Sequence, residues 1–323
     1  MGGTVAYLGN QRSPTYILCD NIGMDILKRF SGCLLGLAVG DAIGTTVEFR
    51  ERGKFPPVTD MVGGGPFSLR PGAWTDDTSM ALCLAESLIA MNGFDGRDQM
   101  ERYWKWYQDG YLSSTGVCFD IGNTVRKALH KYKGTGNPMS GVADVHAAGN
   151  GSIMRLAPIP MFYFPNHEAV LKYSEESSRT THGARECLDA CKLLGDILFR
   201  ALSGQDKREV LLGSRPDLFD SPTIRSISKG EYLTKSEDAI QGTGYVVESL
   251  EAALWSFWTT DNFEQAILKA TNLGDDADTT AAICGQAAGA FYGEDGIPKR
   301  WLDRLVMRGE ICILAEKLCR RSF

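Results

Sequence analysis

The chain has 323 residues, 43% hydrophobic and 23% charged, an ordinary globular composition with enough length for a large core. Its net charge of −6 argues against a broad basic surface, and so against nonspecific nucleic-acid binding. A small phosphate-bearing ligand stays open, because backbone amides and helix N-termini hold anions without net positive charge.

The N-terminus lacks a basic segment followed by an apolar one, and Ala6 stands where a myristoylation signal wants Ser or Thr. Residues 1–23 carry Pro14 and two short apolar pieces, 5–8 and 16–18, without sustained helical periodicity. They read as an N-terminal extension ahead of one domain, 24–323; an extended arm with apolar anchors could occupy a partner's groove. Helical spacing of apolar residues then marks 24–42, 79–90, 185–202, 246–257 and 263–271, and the Ala- and Gly-rich run 279–291 suits a closely packed helix. Gly36, Gly40 and Gly44 form a stripe that would let a second helix approach. Glycine-rich loops occupy 61–72, 134–140 and 146–152, and the polar, weakly periodic 204–244 reads as a flexible insertion. With alternating β-branched runs scarce, the fold class is all-α and single-domain.

The longest apolar run, around residues 33–40, is too short to span a bilayer, so no membrane is expected. Nine cysteines, none in a CxxC and most inside apolar helical runs, read as reduced core thiols in a cytoplasmic protein.

Chemistry concentrates in the acidic segments. Trp74-Thr75-Asp76-Asp77-Thr78 precedes a helical run, with Thr75 placed to act as N-cap and two carboxylates in the first turn. A capped helix whose dipole welcomes acids would explain that much. A second cluster, Gly274-Asp275-Asp276-Ala277-Asp278-Thr279, also precedes a helix, and neither cluster has an adjacent Lys or Arg. Like charges gathered by a fold raise each other's pKa or require a cation. Asp and Thr oxygens are hard ligands, pointing to Mg²⁺ or Mn²⁺ rather than zinc. Glu48, near the end of Gly40-Asp41-Ala42-Ile43-Gly44-Thr45-Thr46-Val47-Glu48-Phe49, lies in apolar context that would raise its pKa toward proton-transfer use.

The segments LLGLAVGDAIGTTVEF, WTDDTSMAL, CFDIGNTV, GNGSIMRLAPI, the pair Thr181-His182 and GDDADTTAA occur in one order from about Met24 to the C-terminus. In these motifs the chain resembles the ADP-ribosylglycohydrolases, most closely the bacterial enzymes that remove ADP-ribose from arginine of dinitrogenase reductase. The resemblance implies a helical bundle with two Mg²⁺ (or Mn²⁺) ions at the base of a cleft. Its metal ligands would be Thr75, Asp76, Asp77, Asp276, Asp278 and Thr279, with Glu48, Asp77 and Asp278 as catalytic candidates. Asp120, Gly122, Asn150, Gly151, Ser152 and His182 would line the ADP-ribose groove. Asp275 stands where many members have an uncharged residue.

The implied reaction cleaves the C1″–N bond to a protein arginine through an oxocarbenium-like state, so the site must place the sugar and manage protons. Metals would clamp ribose hydroxyls and activate water, and the amides of 150–152 would hold the pyrophosphate. The substrate would be an ADP-ribosylated protein, with a cognate ADP-ribosyltransferase as a further candidate partner. Two other classes remain: a transferase antagonist acting by binding through its N-terminal extension, and a two-metal nucleotide phosphohydrolase.

Overall fold

The computed structural model describes residues 14–322, with side chains from Met24 onward; residues 1–13 and the side chains of 14–23, most of the expected extension, lie outside that description. Its helices are α1 (Pro14–Gly44), α2 (Asp76–Met91), α3 (Gly96–Asp109), α4 (Asn123–Thr135), α5 (Pro158–Tyr163), α6 (His167–Arg179) and α7 (Arg185–Leu202). They continue with α8 (Lys207–Leu212), α9 (Pro222–Ser228), α10 (Val246–Trp258), α11 (Phe263–Thr271), α12 (Ala277–Tyr292), α13 (Lys299–Leu302) and α14 (Arg308–Arg321). Only isolated β-bridges occur among the described residues, so the expected all-α class holds.

The glycine stripe decides the centre. A Cβ on Gly36 would lie 2.2 Å from the Gly285 carbonyl oxygen, one on Gly40 2.1 Å from that of Ala281, and one on Gly44 2.4 Å from that of Ala277. Partner numbers fall by four as glycine numbers rise by four, so α1 and α12 run antiparallel in backbone contact. The C-terminal end of α1, carrying Asp41 and leading to Glu48, therefore lies beside the N-terminal end of α12, carrying Asp276 and Asp278. Around this pair α7, α10 and α11 bury Leu194, Ile197, Leu250, Leu254 and Ile267 in one large core. A smaller cluster of Met80, Cys83, Met100, Tyr103, Trp106, Leu129 and Met154 joins α2, α3 and α4.

Gly40→Ala tests the packing. Alanine in a helix interior is normally worth about 1 kcal/mol over glycine, yet here its methyl has only backbone to displace. Overpacking of that kind costs roughly 1–3 kcal/mol or more. Thermal unfolding should show a lower Tm for the variant; an unchanged or higher Tm contradicts the close approach.

Several expectations need correction. Helix α1 begins at Pro14, ten residues before the expected start at 24. The segment 204–244 is no flexible insertion: α8, α9 and 3₁₀ turns anchor Val210, Leu211, Phe219, Ile224, Ile227, Tyr232 and Ile240 in the main core. Helices α3, α4, α6 and α14 also lie outside the expected runs. The stretch Met24–Val47 is long and apolar enough to cross a membrane, but 94% of its most apolar window is buried, which makes it the fold's central helix.

Candidate active site

Three helix ends meet. Asp41, fully buried in the last turns of α1, accepts four hydrogen bonds from the start of α2. Oδ1 takes the Thr75 amide at 2.8 Å and its hydroxyl at 2.9 Å; Oδ2 takes the Thr78 amide at 3.0 Å and its hydroxyl at 2.6 Å. Asp41 thus satisfies orphan amides that an N-cap side chain would ordinarily take. Thr75 occupies the N-cap position as expected but makes no capping bond with its own hydroxyl. That hydroxyl has one hydrogen, and Asp41 is its nearest acceptor. Its oxygen nevertheless lies 3.2 Å from Asp278 Oδ2 and 3.3 Å from Asp77 Oδ2. Oxygens crowded with no hydrogen left between them call for a proton or a cation.

From α12, Thr279 Oγ1 reaches Asp77 Oδ2 at 3.4 Å, and the Thr279 amide donates to Asp278 Oδ1 at 2.8 Å. Asp276 accepts from Asn150 Nδ2 at 2.8 Å. Carboxylate oxygens of Glu48, Asp120 and Asp278 lie within 4.8 Å of one another. Asp77 Oδ1 is buried with no hydrogen-bond partner. Among the described residues none of Asp41, Glu48, Asp76, Asp77, Asp120, Asp276 and Asp278 pairs with a Lys, Arg or His.

The electrostatic consequence is uniform. Burial first, then the neighbouring carboxylates Asp120, Asp276, Asp77 and Asp41, push Glu48 up to about 10. Burial, with Asp41 and Asp276, lifts Asp120 to about 7. Asp76, Asp77 and Asp278 are held well above the usual carboxylate range by burial first and then by neighbouring acids, Asp120 among them in each case. Burial raises Asp41 to about 6 even against its four hydrogen bonds. The positive N-terminal ends of α2 and α12 offset part of this charge, though a dipole end supplies only about half a unit.

Above the acids lies a cavity of about 500 Å³ whose lining includes Glu48, Phe49, Asp76, Asp120, Asp276 and Asp278. Its wall includes Gly122, Asn123, Thr124 and Val125 at the start of α4, where the first intrahelical bond runs from the Arg126 amide to the Gly122 carbonyl. Asn150, Gly151 and His182 complete that wall. Arg155 donates to Thr181 Oγ1 at 2.7 Å, so the Thr181 hydrogen is free to serve His182 Nδ1 at 2.9 Å. That leaves the imidazole protonated on Nε2, the nitrogen on the side of Gly149 and Gly151. Burial, with Arg155, depresses His182 to about 3, so the ring is neutral.

Of the expected residues, Glu48, Asp76, Asp120, Gly122, Asn150, Gly151, His182, Asp276, Asp278 and Thr279 line one cavity, while Thr75 and Asp77 are buried beneath its floor. The Asn150 amide, expected to face phosphate, donates to the Gly244 carbonyl at 3.1 Å, and its side chain serves Asp276. Ser152 is buried beneath the loop with its hydroxyl unpartnered, off the cavity lining. Asp120, expected only along the groove, stands among the floor carboxylates. Asp275 is exposed, with its backbone at φ 54°. Sequence reading gave no role to Asp41, Phe49, Thr124 or Tyr245. Asp41 was in view inside its motif, but its partners lie 34 and 37 residues away.

Fold and site together define a helical protein with an oxygen-only candidate cation centre at the floor of a cleft. Residues 23–322 match the family model described as ADP-ribosylglycohydrolase, and the chain belongs to that family. It is similar to the ADP-ribosylarginine hydrolase Tri1 of Serratia proteamaculans, 48% identical over 95% of this chain and 82% of the relative. The ADP-ribosyl-[dinitrogen reductase] glycohydrolase of Rhodospirillum rubrum is 33% identical over 89% of this chain and 94% of its own. A solved structure titled "ADP-ribosylglycohydrolase-related protein complex" superposes with a TM-score of 0.84 at 44% identity, covering 93% of this chain and all of the other.

Proposed function

We propose that this chain removes ADP-ribose from modified protein arginines by hydrolysing the bond between ribose C1″ and a guanidinium nitrogen. The observation that carries the reading is the set of un-neutralised carboxylates at one end of an elongated cleft. The cavity above them shares Thr124, Gly149 and Gly244 with a second cavity of about 670 Å³, lined also by His146 and Tyr245. A two-ended ligand fits this shape, with its reacting ribose over the acids and its base between His146 and Tyr245. The relatives whose names specify arginine favour that linkage over serine.

The donor set fits hard divalent cations. Thr75, Asp76, Asp77, Asp276, Asp278 and Thr279 offer only oxygen, and the orphaned Asp77 Oδ1 lacks any other partner. Two Mg²⁺ or Mn²⁺ ions held there would balance the shared charge and supply Lewis acidity toward ribose oxygens. With the ribose over the acid floor, the negative charge of Asp278, backed by the buried Asp77, would stabilise the positive charge that develops on C1″ in an oxocarbenium-like transition state. Glu48, beside Asp120 and Asp278, holds a proton readily and passes it to the departing nitrogen. The free amides at the start of α4, with that of Gly151, suit the pyrophosphate. The substrate is an ADP-ribosylated protein; a cognate transferase as second partner rests on residues 1–23 alone. The cysteines from Cys33 onward are all free, which suits a reducing, cytoplasmic location.

Product analysis on an arginine-ADP-ribosylated peptide with Mg²⁺ or Mn²⁺ tests the proposal. Free ADP-ribose and unmodified arginine are expected. AMP or phosphate would instead indicate a phosphohydrolase, and ADP-ribose binding without product a binding protein.

A further inference from the structure

Phe49 follows Glu48 directly, yet the two differ sharply: Glu48 is 3% exposed and Phe49 68%. Phe49 lines the acid-floored cavity and is absent from the lining of the second one. It therefore marks the end of the cleft where the departing group leaves, away from the base-binding end. Its backbone sits at φ 60°, a conformation that costs a bulky residue about 1–3 kcal/mol. A short bridge holds it there: the Phe49 amide donates to the Asp275 carbonyl at 2.7 Å, and the Asp275 amide to the Arg50 carbonyl at 2.8 Å. Asp275 is itself left-handed, at φ 54°.

Among the described residues nothing repays that conformation through the ring. The nearby Phe67 packs at a tilt against Phe119, with centroids 5.1 Å apart, while Phe49 has no ring contact among the described residues. No described Lys or Arg lies over it either. The adjacent cations are committed elsewhere. Arg50 donates to the Lys54 carbonyl at 3.1 Å, and Arg52 to the carbonyls of Leu273, Glu237 and Ile240. An aromatic face held open at the mouth of an acidic cavity, with the neighbouring Arg50 and Arg52 engaged by backbone carbonyls, suits a planar cation from outside. Guanidinium groups stack on aromatic faces, where their weaker hydration lowers the cost of contact.

We infer that Phe49 is the specificity-determining residue for the leaving group, its ring taking the guanidinium of the departing arginine while Glu48 faces the reacting bond. The inference rests on the arginine-hydrolase reading above. ADP-ribose, which lacks the arginine, does not need this ring.

The test compares wild type with Phe49→Tyr, Phe49→Leu and Phe49→Ala on an ADP-ribosylarginine substrate, alongside the Kd for ADP-ribose. Thermal unfolding confirms that each variant is folded. Phe49→Ala should raise KM about 2- to 30-fold, the range of a cation–π contact. Phe49→Leu should recover little, Phe49→Tyr should stay within about twofold, and the ADP-ribose Kd should hold within about twofold throughout. Wild-type KM in Phe49→Leu would overturn the cation–π role, and a parallel loss of ADP-ribose affinity would show that the ring holds the sugar nucleotide instead. Asp275→Asn keeps a residue tolerant of positive φ and removes the charge; if it alone raises KM, the selectivity lies in that carboxylate. Failure of the underlying reading looks different: wild type itself would release no ADP-ribose from arginine.

Discussion

Replacing Asp278 with asparagine should lower kcat/KM for ADP-ribosylarginine by roughly 10³-fold, because a centre of this kind supplies several kcal/mol of charge stabilisation. The fold should survive. Asparagine keeps an oxygen for the Thr279 amide, which Asp278 Oδ1 accepts at 2.8 Å, and can present its amide group to Thr75 Oγ1, now 3.2 Å from Oδ2. What it removes is a carboxyl whose ionisation is opposed first by burial and then by Glu48, Asp77, Asp276 and Asp120. In a chelator the variant should therefore unfold at or above the wild-type Tm, while the Tm gained by adding Mn²⁺ should shrink. This opposed pair, activity lost and metal-free stability kept, separates a functional carboxylate from a structural one. Wild-type turnover at saturating Mg²⁺ or Mn²⁺ would contradict the assigned role.

The second large effect is on stability against pH. The site carboxylates keep protons in the folded, metal-free protein that the unfolded chain releases near pH 4. Asp41 holds to about 6, Asp120 to about 7 and Glu48 to about 10. The unfolded state thus binds fewer protons across this range, and stability falls as pH rises. The stabilising contribution is complete below about pH 4 and is lost progressively through those folded-state values. A loss of several kcal/mol, at roughly 2 °C each in a large domain, gives a Tm decline of about 5–10 °C between pH 5 and 8. Saturating divalent cation should remove or invert the decline, since deprotonated ligands bind metal more tightly. Differential scanning calorimetry with and without chelator checks both arms. A metal-free Tm that climbs over this range would mean the acids are neutralised some other way.

Much of this site could be read in the chain because its motifs are local. Asp76 and Asp77 sit in one helical turn, Asp276 and Asp278 in another, and the glycine spacing of α1 foretold a helix packed against it. The parts that could not be read depend on distance. Asp41 looks like an acid stranded in an apolar helix until Thr75 and Thr78 are brought to it. The amide of Asn150 looked free for phosphate until Gly244 was placed opposite. The segment 204–244 misled because its buried residues come singly, from helices under two turns long that leave no periodic trace. Helix α3 was legible and passed over: Asp95 caps it, and Met100, Tyr103 and Trp106 recur at every third position on its buried side.

Phe49 shows a further limit. Its chemical type is visible in the sequence, but neither its exposure nor its left-handed backbone is, and those properties single it out. Positive φ at an aromatic position is imposed by the bridge to Asp275, a contact between segments more than two hundred residues apart.

The central claim is that the reacting ribose, rather than the phosphates or the base, sits over an oxygen-only cation centre. A crystal structure of the wild-type protein with Mn²⁺ and ADP-ribose, with anomalous scattering recorded, tests it directly. The account predicts two anomalous peaks about 3.5–4 Å apart among Asp76, Asp77, Asp276 and Asp278. It also places the terminal ribose above them, the pyrophosphate at the start of α4 and the adenine between His146 and Tyr245. Pyrophosphate over the acids, or no manganese there, would contradict it.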